Sequence, residues 1–313
     1  MANRNLRDVF WDEIYNQAES NQKIMIVSAD LGAMSLDKFR KNLPGQFINV
    51  GIAEQNAINV ATGLALEGYR VYVYASAPFI TLRCYEVIRQ TIAMEDLPVT
   101  IVGQGGGFSF ARYGSTHYNI EDIGSIRMLP NIRMYCVSDP TQTAILAQYT
   151  LKMSHPAYIR MDKLAPDCIY DEGQINIEKG FVCVGEECDT LIVATGNTVA
   201  LALNAQSDLA RMNIRCSVMD LFCLRPNVSE LVTALIKYQY AVAIEEHTIS
   251  CGMSSLLCEV VNDNEIHLKL KRLAVNNVDG YGEIHGDRSD IEKYYGITKE
   301  SIVATVVGMK NGN

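Results

Sequence analysis

Short β-rich apolar runs alternate with helix-length segments along almost the whole chain, and this alternation limits the fold more than any other feature. The run IMIVSAD (24–30) has the length and β-branched content of a buried strand. FINVG (47–51), VYVYAS (71–76), VTIVG (99–103), IRMYCV (132–137) and AYIRM (157–161) repeat it. Between them lie helical patterns. Leu6, Val9, Phe10 and Ile14 mark one face of an opening helix, and Ile58, Ala61, Ala65 and Leu66 mark a second that ends at Gly68. Further helices are predicted over 81–94, near 120–128 and after Asp139-Pro140. Strands separated by helices need crossover connections, which predict a parallel sheet with helices on both faces. The stretch 162–188 breaks the rhythm with Pro, Gly and several acids, and reads as a linker with a short hairpin. The alternation then resumes with TLIVAT, RCSVMDL, AVAIEE and RLAVNN as strands, helices between them, and a last helix near 289–308. The predicted class is therefore α/β: two doubly wound domains with mainly parallel sheets, at 1–165 and 188–313, joined by a linker at 166–187.

Composition narrows the function classes. A formal net charge of −9 argues against general nucleic-acid binding and against a polybasic membrane anchor. The mixed, charged N-terminus has no secretory apolar core, and Thr190–Ser207 is too interrupted for a membrane span. A cytoplasmic location is the expectation. The 9 cysteines contain no C-x-x-C pair and read as reduced thiols, mostly in the core, with no zinc spacing.

Most familiar motifs are absent: no P-loop, no H-E-x-x-H and no G-x-S-x-G occurs. The run from Gly103 to Gly107 follows a strand but places Phe108 where a dinucleotide fingerprint needs its third glycine. One junction stands out. Gly51-Ile52-Ala53-Glu54 lies where a strand passes into a helix, the edge at which open parallel sheets bind ligands. Glu54 falls in the first helical turn among apolar neighbours. On this tetrapeptide alone it is either a carboxylate complementing the helix dipole or a functional acid.

Its surroundings carry a resemblance. Phe79, Arg83, Tyr85, the glycine-rich loop and His117 follow Glu54 in an order that resembles the pyrimidine-binding domain of the transketolase family, and more narrowly the C-terminal subunit of a split transketolase. The segments SADLG (28–32), APFITLRCYEVIR (77–89), GSTHYNIEDI (114–123), PAYIRMDK (156–163), IEEHTISCGMSS (244–255) and YGITKESIV (295–303) extend it over nearly the whole chain. The resemblance implies a thiamine diphosphate enzyme that transfers a two-carbon ketol unit from a ketose, or its phosphate, to an aldose. Glu54 would be the carboxylate that holds a proton on the aminopyrimidine ring. Phe79 and Tyr85 would flank the ring, with Asp30 near the cofactor. His117 would contact the sugar, and Arg83 and Arg160 would grip a substrate phosphate. His247 reads as an interface or structural residue.

Three departures qualify these implications. Tyr113 stands where the family usually carries an Asp that reads a donor hydroxyl, and Tyr118 stands where Gln is usual after the histidine. The third is the absence of Gly-Asp-Gly; Asp279-Gly280 is preceded by Val278. No metal ligand set is therefore expected here. Mg²⁺ and the diphosphate fall to an N-terminal, pyrophosphate-binding partner subunit, in an assembly resembling an α₂β₂ heterotetramer. A subunit of a 2-oxoacid dehydrogenase, a relative of deoxyxylulose phosphate synthase, and a non-catalytic assembly subunit are the alternatives.

Overall fold

Continuous apolar runs zip into parallel ladders because strands covered on both faces need no polar side, and the first six runs do so here. The computed structural model describes residues 4–163, 166–276, 281–282 and 284–312. Leu164–Ala165 at the predicted domain end, Asn277 of the RLAVNN strand and Val278–Gly280 lie outside the described residues.

In chain order the first half forms α1 (Leu6–Ala18), β1 (Ile24–Ser28), α2 (Met34–Asn42), β2 (Phe47–Asn49), α3 (Glu54–Leu66), β3 (Arg70–Ser76), a short α4 (Tyr85–Val87), β4 (Val99–Gln104), α5 (Asp122–Arg127), β5 (Arg133–Cys136), α6 (Pro140–Thr150) and β6 (Ala157–Met161). The six strands make one parallel sheet in the order β2-β1-β3-β4-β6-β5. The chain winds outward from β1 to β2 and then the other way through β3 and β4. The direction of winding reverses between β1 and β3, and open parallel sheets bind ligands beyond the carboxyl ends of the strands at such a switch point. Every residue of β1, β4 and β6 is buried. Trp11 anchors α1 to β3 and α2, meeting Phe10, Tyr74 and Phe39 edge-on at 5.3, 5.4 and 6.4 Å.

The second half forms β7 (Val182–Val184), β8 (Thr190–Ala194), α7 (Thr198–Arg211), β9 (Ser217–Asp220), α8 (Val228–Leu235), β10 (Tyr240–Thr248), α9 (Met253–Asp263), β11 (Lys269–Val275), α10 (Arg288–Tyr295) and α11 (Lys299–Lys310). Its sheet runs β11-β10-β8-β9-β7, parallel except for β7, which pairs antiparallel with β9.

Three local expectations change, and one helix goes unpredicted. The continuous helix over 81–94 is instead α4 between two wider π-helical segments, Phe79–Arg83 and Ile88–Ala93. The hydroxyls of Thr81 and Thr91 donate to the carbonyls of Ala77 and Val87, four residues back, and compete with the regular ladder. The last helix divides at Gly296, whose φ of 68° stops α10, while Thr298 caps α11 through Ser301 N–H. α2 is the unpredicted helix: it is short and mostly polar, and only Ser35, Leu36 and Phe39 are buried. No hairpin forms among the described residues of 162–188: β7 is its one strand, and it finds its partner in β9.

By its contacts the chain divides into two compact units, Met1–Gly106 with Ser125–Ile175, and Gly107–Gly124 with Asn176–Asn313. Residues 107–124 therefore lie in sequence between β4 and β5 but group with the second unit. Among the described residues no helix is long and apolar enough to cross a membrane.

Candidate functional site

The carboxyl edge of the first sheet is tied together by short polar side chains. Gly51 turns the chain out of β2 with a φ of 74°, a conformation glycine adopts without strain. Asn49 accepts the Gly51 N–H at 2.9 Å and donates to the Asp30 carboxylate, also at 2.9 Å. Asp30 is itself exposed and in the left-handed region, with a φ of 58°. Asn49 was not singled out by the sequence reading; an Asn two residues before a glycine at a strand end is the signal that would have found it.

Glu54 opens α3 and is 4% exposed. No side chain caps this helix, so the carboxylate meets the positive end of the helix dipole inside the protein. Its Oε2 accepts from the Arg83 guanidinium at 2.8 Å. That guanidinium lies 4.7 Å from the centroid of the Phe79 ring. Gln55 donates to the Arg83 carbonyl at 3.1 Å, which ties the first turn of α3 to the π-helical segment. Beside them Cys84 is fully buried; burial, reinforced by the Glu54 charge, pushes its thiol up to about 12. Glu54, Phe79 and Arg83 are thus gathered at one place, with Tyr85 half-buried two residues further on.

Arg160 stands in β6, in register with Gly103 of β4 and Cys136 of β5, and is 4% exposed. Its stem packs on Gly106, where an added Cβ would lie 3.0 Å from Arg160 Cγ. The Gly105 and Gly106 N–H groups both donate to the Met161 carbonyl, so the start of the glycine-rich loop follows the end of β6.

The remaining candidates lie in the second unit. His117 ends a one-turn 3₁₀ helix and is half-buried, with Nδ1 3.0 Å from Thr116 Oγ1. The ring of Tyr113 is 66% exposed and sits 5.2 Å from the His117 ring, centroid to centroid. The base of this loop is closed by a two-bond bridge between Gly107 and Asn119. Asn119 also donates to Asp122 at 2.7 Å, both fully buried. Tyr118 is buried and donates to the Ile284 carbonyl at 2.9 Å. His247 is fully buried; its Nδ1 donates to the Thr248 carbonyl at 2.8 Å and its Nε2 accepts the Gly124 N–H at 3.2 Å. It is a structural residue that braces the far end of the loop. Among the described residues no group of three or more His, Cys, Asp or Glu side chains is arranged to hold a metal ion.

The chain matches the family description "transketolase, pyrimidine binding domain" over residues 3–166 and "transketolase, C-terminal domain" over 181–302. It is 29% identical to a putative transketolase C-terminal section of Methanocaldococcus jannaschii, over 97% of this chain and 96% of that one. It is 32% identical to an apulose-4-phosphate transketolase subunit of Actinobacillus succinogenes, over 90% of each. A solved structure described as a split gene transketolase, an inactive β4 tetramer, superposes with a TM-score of 0.84 at 28% identity and 96% coverage of both chains.

Proposed function

The chain belongs to the transketolase family of thiamine diphosphate-dependent transferases, and on that premise we propose that it is the C-terminal half of an enzyme that moves a two-carbon ketol unit from a ketose or ketose phosphate to an aldose acceptor. An N-terminal partner subunit completes it and supplies the diphosphate and Mg²⁺ contacts that this sequence lacks. The assembly is an α₂β₂ heterotetramer in the cytoplasm; along the sequence the domains are 1–165 and 188–313 with a linker at 166–187, and the 107–124 segment groups with the second compact unit.

The observation that carries this reading is the buried Glu54 carboxylate at a helix N-terminus, linked through the Arg83 guanidinium to the Phe79 ring. These groups fit the cofactor's aminopyrimidine: an anionic acceptor out of water for a protonated ring nitrogen, and a flat apolar face for the ring. When bound, thiamine diphosphate supplies the nucleophilic carbon that cleaves and remakes the carbon–carbon bond. Glu54 then stabilises a proton on the facing nitrogen through a charge-assisted hydrogen bond, which a neutral amide supports far less. Phe79 contributes about 0.5–1.5 kcal/mol of ring stacking beyond its buried area, with Tyr85 beside it and Asp30 holding the strand edge through Asn49. His117, steadied by Thr116, donates to a sugar oxygen as it gains negative charge. Arg83 and Arg160 offer planar forks for a donor phosphate. Tyr113 replaces a carboxylate acceptor with a phenol, which favours a donor outside the usual ketose phosphates. The name of the Actinobacillus relative, which specifies apulose-4-phosphate, supports that direction.

Calorimetry with thiamine diphosphate and Mg²⁺ tests the reading. Binding is expected to the mixture with the partner subunit and not to this chain alone. Glu54→Gln is expected to lower ketol transfer by at least about 10²-fold. Full activity in that variant, or tight cofactor binding to this chain alone, refutes the proposal.

A further inference from the structure

The loop that carries His117 is gripped at its root by a buried ion pair that the reaction chemistry does not need. Glu246, at the end of β10, has a side chain with 0% exposure. It accepts the Phe108 N–H at 2.9 Å and takes both prongs of Arg288, Nε at 2.7 Å and the terminal nitrogen at 2.6 Å. The fit leaves no slack. Gly107 has a φ of 58°, and a Cβ added there would lie 2.0 Å from Glu246 Oε2. Phe108 meets Tyr118 edge-on at 5.4 Å and stacks on Tyr295 of α10 at 5.9 Å. The tip is held by the residues just before Arg288. Asp287 pairs with Arg112, Ile284 accepts from Tyr118, and His285 packs where Gly114 has no side chain.

A buried charge is costly unless fully paired, and a bidentate guanidinium with a backbone N–H is the arrangement that meets the cost. Replacing it by an apolar pair would hold α10 on β10 as well. An apolar pair would not hold the Phe108 N–H in register with the Gly107–Asn119 bridge, from which the chain runs directly to His117. We infer that Glu246 and Arg288 are positioning residues for His117: they fix the root of its loop and, through the Ile284–Asp287 segment, its tip. The inference rests on the ketol-transfer reading for what His117 does, but not for what holds it.

The test uses the assembled enzyme carrying Arg288→Met, Arg288→Lys, His117→Ala, and Arg288→Met combined with His117→Ala. Arg288→Lys keeps the charge and loses the fork, and it preserves the test if the Met variant does not fold. Amide hydrogen exchange reads the loop without any activity. Faster exchange in residues 107–119, and in the Ile284–Asp287 segment that holds their tip, is expected in both Arg288 variants, and unchanged exchange in 107–119 overturns the inference. In the kinetic arm, Arg288→Met is expected to lower kcat by about 10²-fold, the scale of a misplacement near 1 Å. Thiamine diphosphate affinity should stay within about twofold, and the double variant should fall no further than His117→Ala. Multiplicative losses overturn the inference and leave the ketol-transfer reading standing. If His117→Ala alone transfers ketol at the wild-type rate, the role given to that histidine falls, while loop exchange still decides whether Arg288 holds it.

Discussion

In the assembled enzyme Arg83→Met is expected to tighten thiamine diphosphate binding. The Arg83 guanidinium is a flat cation that donates to Glu54 at 2.8 Å and lies 4.7 Å from the Phe79 centroid. It already uses the two features that the proposed site offers to a protonated pyrimidine, so a ligand that takes up both must displace it. The Arg83 side chain is 50% exposed, which holds the ion pair to about 0.2–1 kcal/mol. A cation over an accessible ring adds about 0.5–1 kcal/mol. Together they amount to about 0.7–2 kcal/mol, or about 3–30-fold in an equilibrium constant. Methionine keeps most of the apolar stem and removes the charged head, so the change isolates this competition. It also leaves the buried Glu54 without its cation, which favours any ligand that brings a proton donor, and the sign is the same. Calorimetry of the complex against thiamine diphosphate with Mg²⁺ measures it. A displaced guanidinium becomes available to a phosphorylated donor, so the same variant should raise the donor KM. Unchanged or weaker cofactor binding refutes the reasoning: Arg83 would then remain on Glu54 with the cofactor in place.

Other expectations follow from the buried polar groups. Asp139 is fully buried and accepts from the Gln142, Ile169 and Tyr170 N–H groups at 2.7, 2.7 and 3.0 Å. Asp139→Ala loses a helix cap and strands buried donors, at about 3–5 kcal/mol, read as a lower urea midpoint. Burial pushes the Cys84 and Cys216 thiols up to about 12 from 9.0, so the folded chain keeps protons that the unfolded chain releases. Stability should therefore hold below about pH 9 and fall between about 9 and 12, which denaturation midpoints across that range will show. By the same argument Cys84 and Cys216 should resist alkylation near pH 8 while the exposed Cys168, Cys251 and Cys258 react, as read by peptide mass spectrometry. Tyr113→Asp restores a carboxylate beside His117 and is expected to raise kcat/KM for ordinary ketose phosphates by roughly tenfold or more; an unchanged donor profile would mean that Tyr113 does not read the donor.

The sheets were legible because their strands are made by local sequence: a run such as Val99–Gln104 that is apolar at nearly every position has few alternatives to a doubly covered parallel strand. Elements decided by a partner far along the chain were not. Nothing in Val182–Val184 announces that it will pair with β9, and the widening of the helix after Pro78 depends on where two threonine hydroxyls find carbonyls. The site divides the same way. Glu54 was visible as an acid at a strand-to-helix junction. That its partner would be Arg83, 29 residues away, follows from the π-helical segment that turns Arg83 back over Phe79, a geometry with no sequence period to reveal it. The Glu245-Glu246-His247 triplet was visible as a motif, but its division of labour was not. Glu245 accepts the Met253 and Ser254 N–H groups at the start of α9, Glu246 takes Phe108 and Arg288, and His247 takes Gly124.

That division of labour bears on why both units share one chain. The loop Gly107–Gly124 is encoded between β4 and β5, two strands of the first sheet, yet its root, tip and far end are bonded to Glu246, Arg288, Ile284, Asp287 and His247 of the second unit. A first unit made alone would carry Glu54 and Phe79 but leave the Phe108 N–H without Glu246, and the loop without its clamp. A second unit made alone would bury Glu246 and Arg288 around a missing segment. Truncation after Ile175 should therefore give a chain whose 107–124 segment is cut by protease at low concentration, while the same segment resists in the full chain. Equal resistance in both would show that the loop holds its own shape and that the second unit serves some other end.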